Sequence, residues 1–73
     1  MDFLEAALKV LSEERAPLHW TVIQDLALKR GYIDPFTQRD IRRNLLAALS
    51  RAAKEGRVVK QGTGVYAVPP DTE

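Results

Sequence analysis

Apolar residues recur at helical spacing in three separate stretches of this 73-residue chain. In the first stretch, Leu4, Leu8 and Leu11 follow the i, i+4, i+7 pattern of an amphipathic helix, and Asp2 is placed to cap its first turn. Pro17 disfavours helical backbone in the residue before it. The first helix is therefore predicted to end ahead of this proline.

The second stretch, TVIQDLALKRG, predicts another helix after a short extended segment, PLHW at 17–20. Thr21 and Gln24 have the spacing of a capping box, in which each side chain bonds a backbone N–H of the other's turn. Gly31 is typical of the position that follows a helix, where left-handed backbone is common. Both ends of the second helix are therefore marked, and Trp20 is expected to be a packing residue at its start.

The third stretch predicts the longest helix, from about Thr37 to about Lys54. Its apolar residues, centred on Leu45 and Leu49, fall within an arc of about 100° on a 3.6-residue helix. Gly56 is expected to end it. We therefore expect this helix to bury one face and expose the other.

The hydrophobic pattern changes after Gly56, where RVVKQ and VYAV flank Gly62-Thr63-Gly64. This predicts a β-hairpin with a short loop that needs positive φ. The hairpin has two possible roles, a cover over the helical core and a DNA-contacting wing, and PLHW can pair with it as a third strand. Its uncharged tip argues against reading of the minor groove.

The predicted fold is mainly α with a small β-sheet: a winged helix-turn-helix, in the order helix, short strand, helix, helix, β-hairpin. Residues 1–68 form one domain, and residues 69–73 form a polar tail or the start of a linker. A chain of this length has room for one modest core.

Charge is distributed unevenly although the net charge is only +1. Residues 1–36 hold four basic and six acidic side chains (4 − 6 = −2), whereas residues 37–68 hold seven basic and two acidic (7 − 2 = +5). Such asymmetry between halves indicates contact with a polyanion, and a solvated helix face is the plain alternative.

Composition argues against several classes of function. The chain has no cysteine and a single histidine, which argues against a metal site, and it shows no arrangement typical of catalysis. No apolar run approaches the roughly 18 residues that span a bilayer. We therefore expect no enzyme, no cofactor, no small-molecule substrate and no membrane contact, and a cytoplasmic location, with the nucleoid if the source is bacterial.

The candidate site is the polar face of the third helix. On a helical wheel its basic residues point away from Leu45, with Asp40 as the one acid among them. Arg39, Arg43 and Asn44 are candidates for base edges because they come early, and Arg51, Lys54, Arg57 and Lys60 are candidates for phosphates. The full candidate set is Arg39, Arg42, Arg43, Asn44, Ser50, Arg51, Lys54, Arg57, Lys60 and Thr63. Phe36 is expected either to tuck under the connector or to project as an exposed anchor for a partner.

The landmarks FLEAALKVL, PLHWTVIQDLALKRGYI, LLAALSRA and RVVKQGTGVYAV together resemble the HARE-HTH family of winged-helix domains. The resemblance covers about residues 2–68. It implies DNA binding, or docking onto a DNA-associated machine, and does not imply catalysis. The chain departs from the family at DPFTQRD, where a Gly-Lys-Thr-Pro type stretch is usual, and it lacks the acidic tail of one relative, the RNA polymerase delta subunit.

Two functions stay open at this point. The first is binding of double-stranded DNA through the third helix. The alternative is a protein-interaction module that docks onto RNA polymerase, a nuclease or a chromatin-type partner without direct DNA contact, which the modest net charge favours.

Overall fold

Three helices and a three-stranded antiparallel sheet make up the structure, a computed structural model that describes residues 1–70. The elements are α1 (Phe3–Glu14), β1 (Leu18–His19), α2 (Trp20–Lys29), α3 (Ile41–Lys54), β2 (Val59–Gly62) and β3 (Val65–Ala67). Their order confirms the predicted winged-helix arrangement. Pro69 and Pro70 carry no regular structure, and the rest of the predicted tail, 71–73, lies outside the described residues.

Helix α1 begins as predicted. The carboxylate of Asp2 accepts a hydrogen bond from the backbone N–H of Glu5 at 2.7 Å and so caps the first turn. The helix ends at Glu14 because Arg15 adopts left-handed backbone (φ 55°) while its N–H still bonds the carbonyl of Leu11.

Helix α2 is capped differently from the prediction, because the cap is His19 and not Thr21. The Nδ1 atom of His19 accepts from the N–H of Thr21 at 3.3 Å. His19 is held in extended backbone by strand pairing with Val65, so the helix starts at the next residue, Trp20. The other end is as predicted, with Gly31 at φ 76° just after the last turn.

Helix α3 begins at Ile41, four residues later than predicted, and the predicted start at Thr37 is wrong. Residues 34–38 form a separate turn, in which the carbonyl of Asp34 accepts from the N–H of Gln38 at 2.8 Å. Asp40 then adopts left-handed backbone (φ 49°), which separates that turn from the helix. The predicted stop is confirmed, since Gly56 has φ 77° just past the end.

The sheet order is β1–β3–β2, which confirms that the PLHW segment pairs with the hairpin. Leu18 lies opposite Tyr66 in one ladder, and Lys60 lies opposite Tyr66 in the other. The register shifts between Lys60 and Gly62, which leaves Gln61 as a bulge, and a two-residue loop closes the hairpin with Gly64 at φ 75°.

The core lies where the three helices meet the inner face of the hairpin. Its fully buried side chains include Leu11 from α1, Ile23 from α2, and Leu45 and Leu49 from the predicted apolar arc of α3. Tyr66 of the hairpin, only 6% exposed, joins the same cluster. The hairpin therefore covers the core, as one of its two predicted roles required.

Charged side chains tie the end of α1 to the end of α2. The guanidinium of Arg30 bonds Glu13 at 2.8 Å and Glu14 at 2.5 Å, and the Tyr32 hydroxyl donates to Glu13 at 2.6 Å. The hydrogen bond from Tyr32, with Arg30 and Lys9 adding to it, lowers the pKa of Glu13, and the same bond raises the pKa of Tyr32. This cluster engages two cations of the acidic half of the chain.

No helix of the described chain is both long enough and apolar enough to cross a bilayer.

Candidate nucleic-acid interface

The polar face of α3 is open to solvent along its length. We call the exposed cations of this helix and its flanks the basic surface: Arg39, Arg42, Arg43, Arg51, Lys54 and Lys60. Ser50, Asn44 and Ala47 are exposed among them, and the small Ala47 side chain leaves room for a ligand to approach the helix closely. The sequence prediction that these side chains share one outward face of the helix agrees with their exposure.

None of the basic-surface cations has a carboxylate partner among residues 1–70. The ion pairs found there involve Lys9, Arg30 and Arg57. Arg57, a further candidate for phosphate contact, lies 3.3 Å from Glu55, and because both side chains are exposed this pair is weak. The positive charge of the basic surface is therefore not neutralised within the described chain.

Arg39 lies outside α3, which corrects the expectation that it comes early in that helix. It is exposed in the segment that leads into the helix. Its carbonyl accepts a hydrogen bond from the amide Nδ2 of Asn44 at 2.8 Å, so Asn44 holds this segment against the first turn. Of the candidates for base edges, only Arg43 and Asn44 stand within the helix.

The first turn of α3 presents backbone N–H groups without side-chain caps. A helix begins with four such groups that lack helical acceptors, and the Asp40 side chain caps none of them. The partial positive charge at a helix N-terminus adds to that of the nearby Arg42 and Arg43. A shallow depression of about 530 Å³ lies at this end of the helix, lined by Asp40, Ile41, Arg42, Arg43 and Leu46.

Arg42 is supported by an aromatic ring, Trp20, that the sequence analysis assigned only to packing. Its guanidinium carbon lies 5.9 Å from the ring centroid of Trp20, within cation–π range. Trp20 is half-buried against the core and its backbone N–H donates to the carbonyl of Gly64 at 2.9 Å. One residue therefore connects the start of α2, the hairpin loop and the basic surface, a link that no local pattern in the sequence reveals.

The hairpin brings fewer charges than the helix. Lys60 on β2 and Thr63 in the loop are both exposed, and the loop between the strands consists of Thr63 and Gly64 alone. These groups suit contact with phosphate oxygens. The absence of a basic residue from this loop agrees with the expectation that it does not read the minor groove.

Phe36 is 92% exposed, which decides between the two placements expected for it. It projects from the connector between α2 and α3 and takes no part in the core cluster. Its exposure had a signal in the sequence, an aromatic residue inside a turn-forming DPFT stretch, and only the structure shows that nothing covers it.

Comparison with known proteins identifies the family. The HARE-HTH family model, whose description names ASXL and a restriction endonuclease HTH domain, matches residues 1–68. No match was found among curated proteins or among solved structures. Three helices with a C-terminal hairpin are the architecture expected of a helix-turn-helix domain of this size. The chain therefore belongs to the HARE-HTH family of helix-turn-helix domains.

Proposed function

We propose that the chain is a DNA-binding winged-helix module whose α3 enters the major groove. The observation that carries this proposal is the basic surface: six exposed cations, on one helix and its flanks, with no carboxylate partner in residues 1–70. DNA presents a dense row of phosphates that such a surface matches. As a module of a larger protein, the domain would deliver that protein to DNA.

Base edges are the proposed targets of the leading end of α3. The planar fork of an arginine matches O6 and N7 of guanine, and Arg39 and Arg43 are exposed at this end. Arg42 is less free, because the Trp20 ring limits its orientations. Asn44 keeps its amide oxygen available while its Nδ2 holds the backbone of Arg39.

Phosphates are the proposed targets of the trailing end of α3 and of the hairpin. Arg51 and Lys54 stand in the last turns of the helix, and Arg57 and Lys60 follow toward β2. Ser50 and Thr63 can donate hydroxyl hydrogen bonds to the same oxygens. With about four phosphate contacts, the log–log salt slope is near −3.6, which corresponds to about a hundredfold loss of affinity between 50 and 200 mM salt.

A second candidate function rests on Phe36. An exposed aromatic residue is typical of anchors that fill a pocket on a protein partner. In this alternative the domain docks onto RNA polymerase, a nuclease or a chromatin-type partner without touching DNA.

A triple variant, Arg39→Ala, Arg43→Ala and Lys54→Ala, separates the two candidates. The matched control, Lys9→Ala, Arg15→Asn and Lys29→Ala, removes three positive charges from the acidic half, and asparagine tolerates the left-handed backbone of Arg15. Fluorescence anisotropy with a duplex at low salt should show loss of binding in the first triple variant and retention in the control. Equal affinities in both variants, or full binding by the first, would contradict the proposal.

A further inference from the structure

Phe36 is the most exposed large apolar side chain of the described residues. Its exposed fraction of 92% compares with 52% for Met1, 41% for Val22 and 39% for Val59. The others keep about half or more of their surface covered, whereas the Phe36 ring has almost none covered. A ring of this size leaves a substantial apolar area in water, and a ligand that covers it gains that area.

The backbone that carries Phe36 is fixed by a network of hydrogen bonds. Asp34 Oδ1 accepts from the N–H of Phe36 at 2.9 Å, and Gln38 Oε1 accepts from the N–H of Asp34 at 2.9 Å. Gln38 Nε2 donates to the carbonyl of Met1 at 2.9 Å, which ties the turn to the start of α1. The conformational entropy of this turn is therefore lost on folding and not on binding, which favours a contact made by the ring.

The charges that follow Phe36 favour a polyanionic ligand. The turn leads through Arg39 into the first turn of α3, where Arg42 and Arg43 stand, and none of the three has a carboxylate partner among residues 1–70. The nearest acid in sequence, Asp34, directs one carboxylate oxygen to its own chain, the N–H of Phe36. An apolar pocket on a protein would have to accept these three cations as well, whereas DNA neutralises them.

DNA offers a phenyl ring one particular apolar group at the base edges of the major groove, the 5-methyl group of thymine. The leading end of a helix-turn-helix recognition helix is the part that reaches those edges. From this placement we propose that Phe36 is a specificity-determining residue that contacts a thymine 5-methyl group in the major groove. The inference rests on the proposed DNA binding and adds a base preference to it.

The test compares thymine with deoxyuridine, which differ only by the methyl group. Duplexes are selected from a random library by the full chain and resynthesised with each thymine replaced in turn by deoxyuridine. Burial of one methyl group corresponds to about a fourfold change in affinity, so replacement at the contacted position should weaken wild-type binding by about that factor. Phe36→Ala should bind the two duplexes equally and keep the wild-type salt slope, because it removes no charge.

Val59→Ala is the matched control, since it removes an exposed apolar side chain from the hairpin and should keep the preference for thymine. Thermal unfolding checks that Phe36→Ala is folded, as the exposure of the ring predicts. Equal wild-type affinity for all thymine and deoxyuridine duplexes overturns this inference and leaves DNA binding intact. A preference that survives in Phe36→Ala also overturns it. Failure to bind any duplex overturns both this inference and the proposed function, and leaves Phe36 to a protein partner.

Discussion

The guanidinium carbon of Arg42 lies 5.9 Å from the centre of the Trp20 ring, so the first residue of α2 supports a cation on the first turn of α3. The two residues are 22 positions apart and meet because the two helices cross. An arginine held this way loses less freedom when it meets a ligand than an unsupported one. The contact also links the stability of the fold to the shape of the basic surface.

A double-mutant cycle of Trp20→Leu and Arg42→Gln should reveal this contact as a coupling in stability. At an exposed site a cation–π pair contributes about 0.5–1 kcal/mol, so the double variant should be more stable than the sum of the single effects predicts by that amount. Urea unfolding measures it. Strictly additive effects would mean that the ring and the guanidinium do not interact in solution.

Gly64→Ala should destabilise the fold more than Gly31→Ala. Both glycines have positive φ, 75° and 76°, where a side chain costs about 1–2 kcal/mol. A Cβ at Gly64 would also come within 2.9 Å of His19 Nε2 and 3.0 Å of Trp20 Cδ1, whereas nothing lies within 4 Å of one at Gly31. Thermal unfolding of the two variants isolates the steric part, and equal losses would show that the hairpin loop does not press on His19 and Trp20.

The Glu13–Tyr32 contact should make stability depend on pH at both ends of the range. Because the folded pKa of Glu13 is lowered, its contribution is present above the ordinary carboxyl pKa and is lost as pH falls through the folded value. Because the pKa of Tyr32 is raised, its contribution is present below the ordinary tyrosine pKa and is lost as pH rises through the folded value.

Tyr32→Phe tests the cause of both shifts. Without the hydroxyl, the pKa of Glu13 should rise toward its ordinary value, although Arg30 and Lys9 still hold part of the shift. A carboxyl-detected NMR titration follows Glu13 directly, with Glu5 as an internal reference on the same helix. An unchanged pKa in the variant would assign the shift to Arg30 and Lys9 instead.

Asp40→Asn should strengthen DNA binding. Asp40 is the one acidic residue at the leading end of α3, it caps no backbone group with its side chain, and asparagine accepts its left-handed backbone (φ 49°). One charge pair at 4 Å in water is worth about 1 kcal/mol, which sets a gain of up to about fivefold in affinity at low salt. Asp25→Asn on α2 is the matched control. A weaker complex after Asp40→Asn would indicate instead that the carboxylate accepts a hydrogen bond from a base.

Local features of the fold were predictable from the sequence because they depend on neighbouring residues. The Asp2 cap, the stops at Gly31 and Gly56, and the buried arc around Leu45 and Leu49 all follow from spacing along one helix. The hairpin loop followed from the demand for positive φ in a short connection.

Features that depend on contact between distant segments were missed. His19 caps α2 because β1 pairs with β3, and the sequence around Thr21 gives no sign of this. The late start of α3 reflects the left-handed backbone of Asp40 and the turn fixed by Gln38, whose side chain bonds the carbonyl of Met1, 37 positions away. The exposure of the α3 cations was predicted from periodicity, whereas the support of Arg42 by Trp20 was not, since it depends on how two helices cross.

The measurement that tests DNA binding through α3 most directly is an NMR titration of the isotopically labelled chain with a duplex at low salt. The account predicts that amide signals of residues 39–54 and of Lys60 and Thr63 shift most, that signals around Lys9 and Arg15 stay in place, and that added salt reverses the shifts. Unchanged spectra at a duplex excess, or shifts centred on α1, would contradict it.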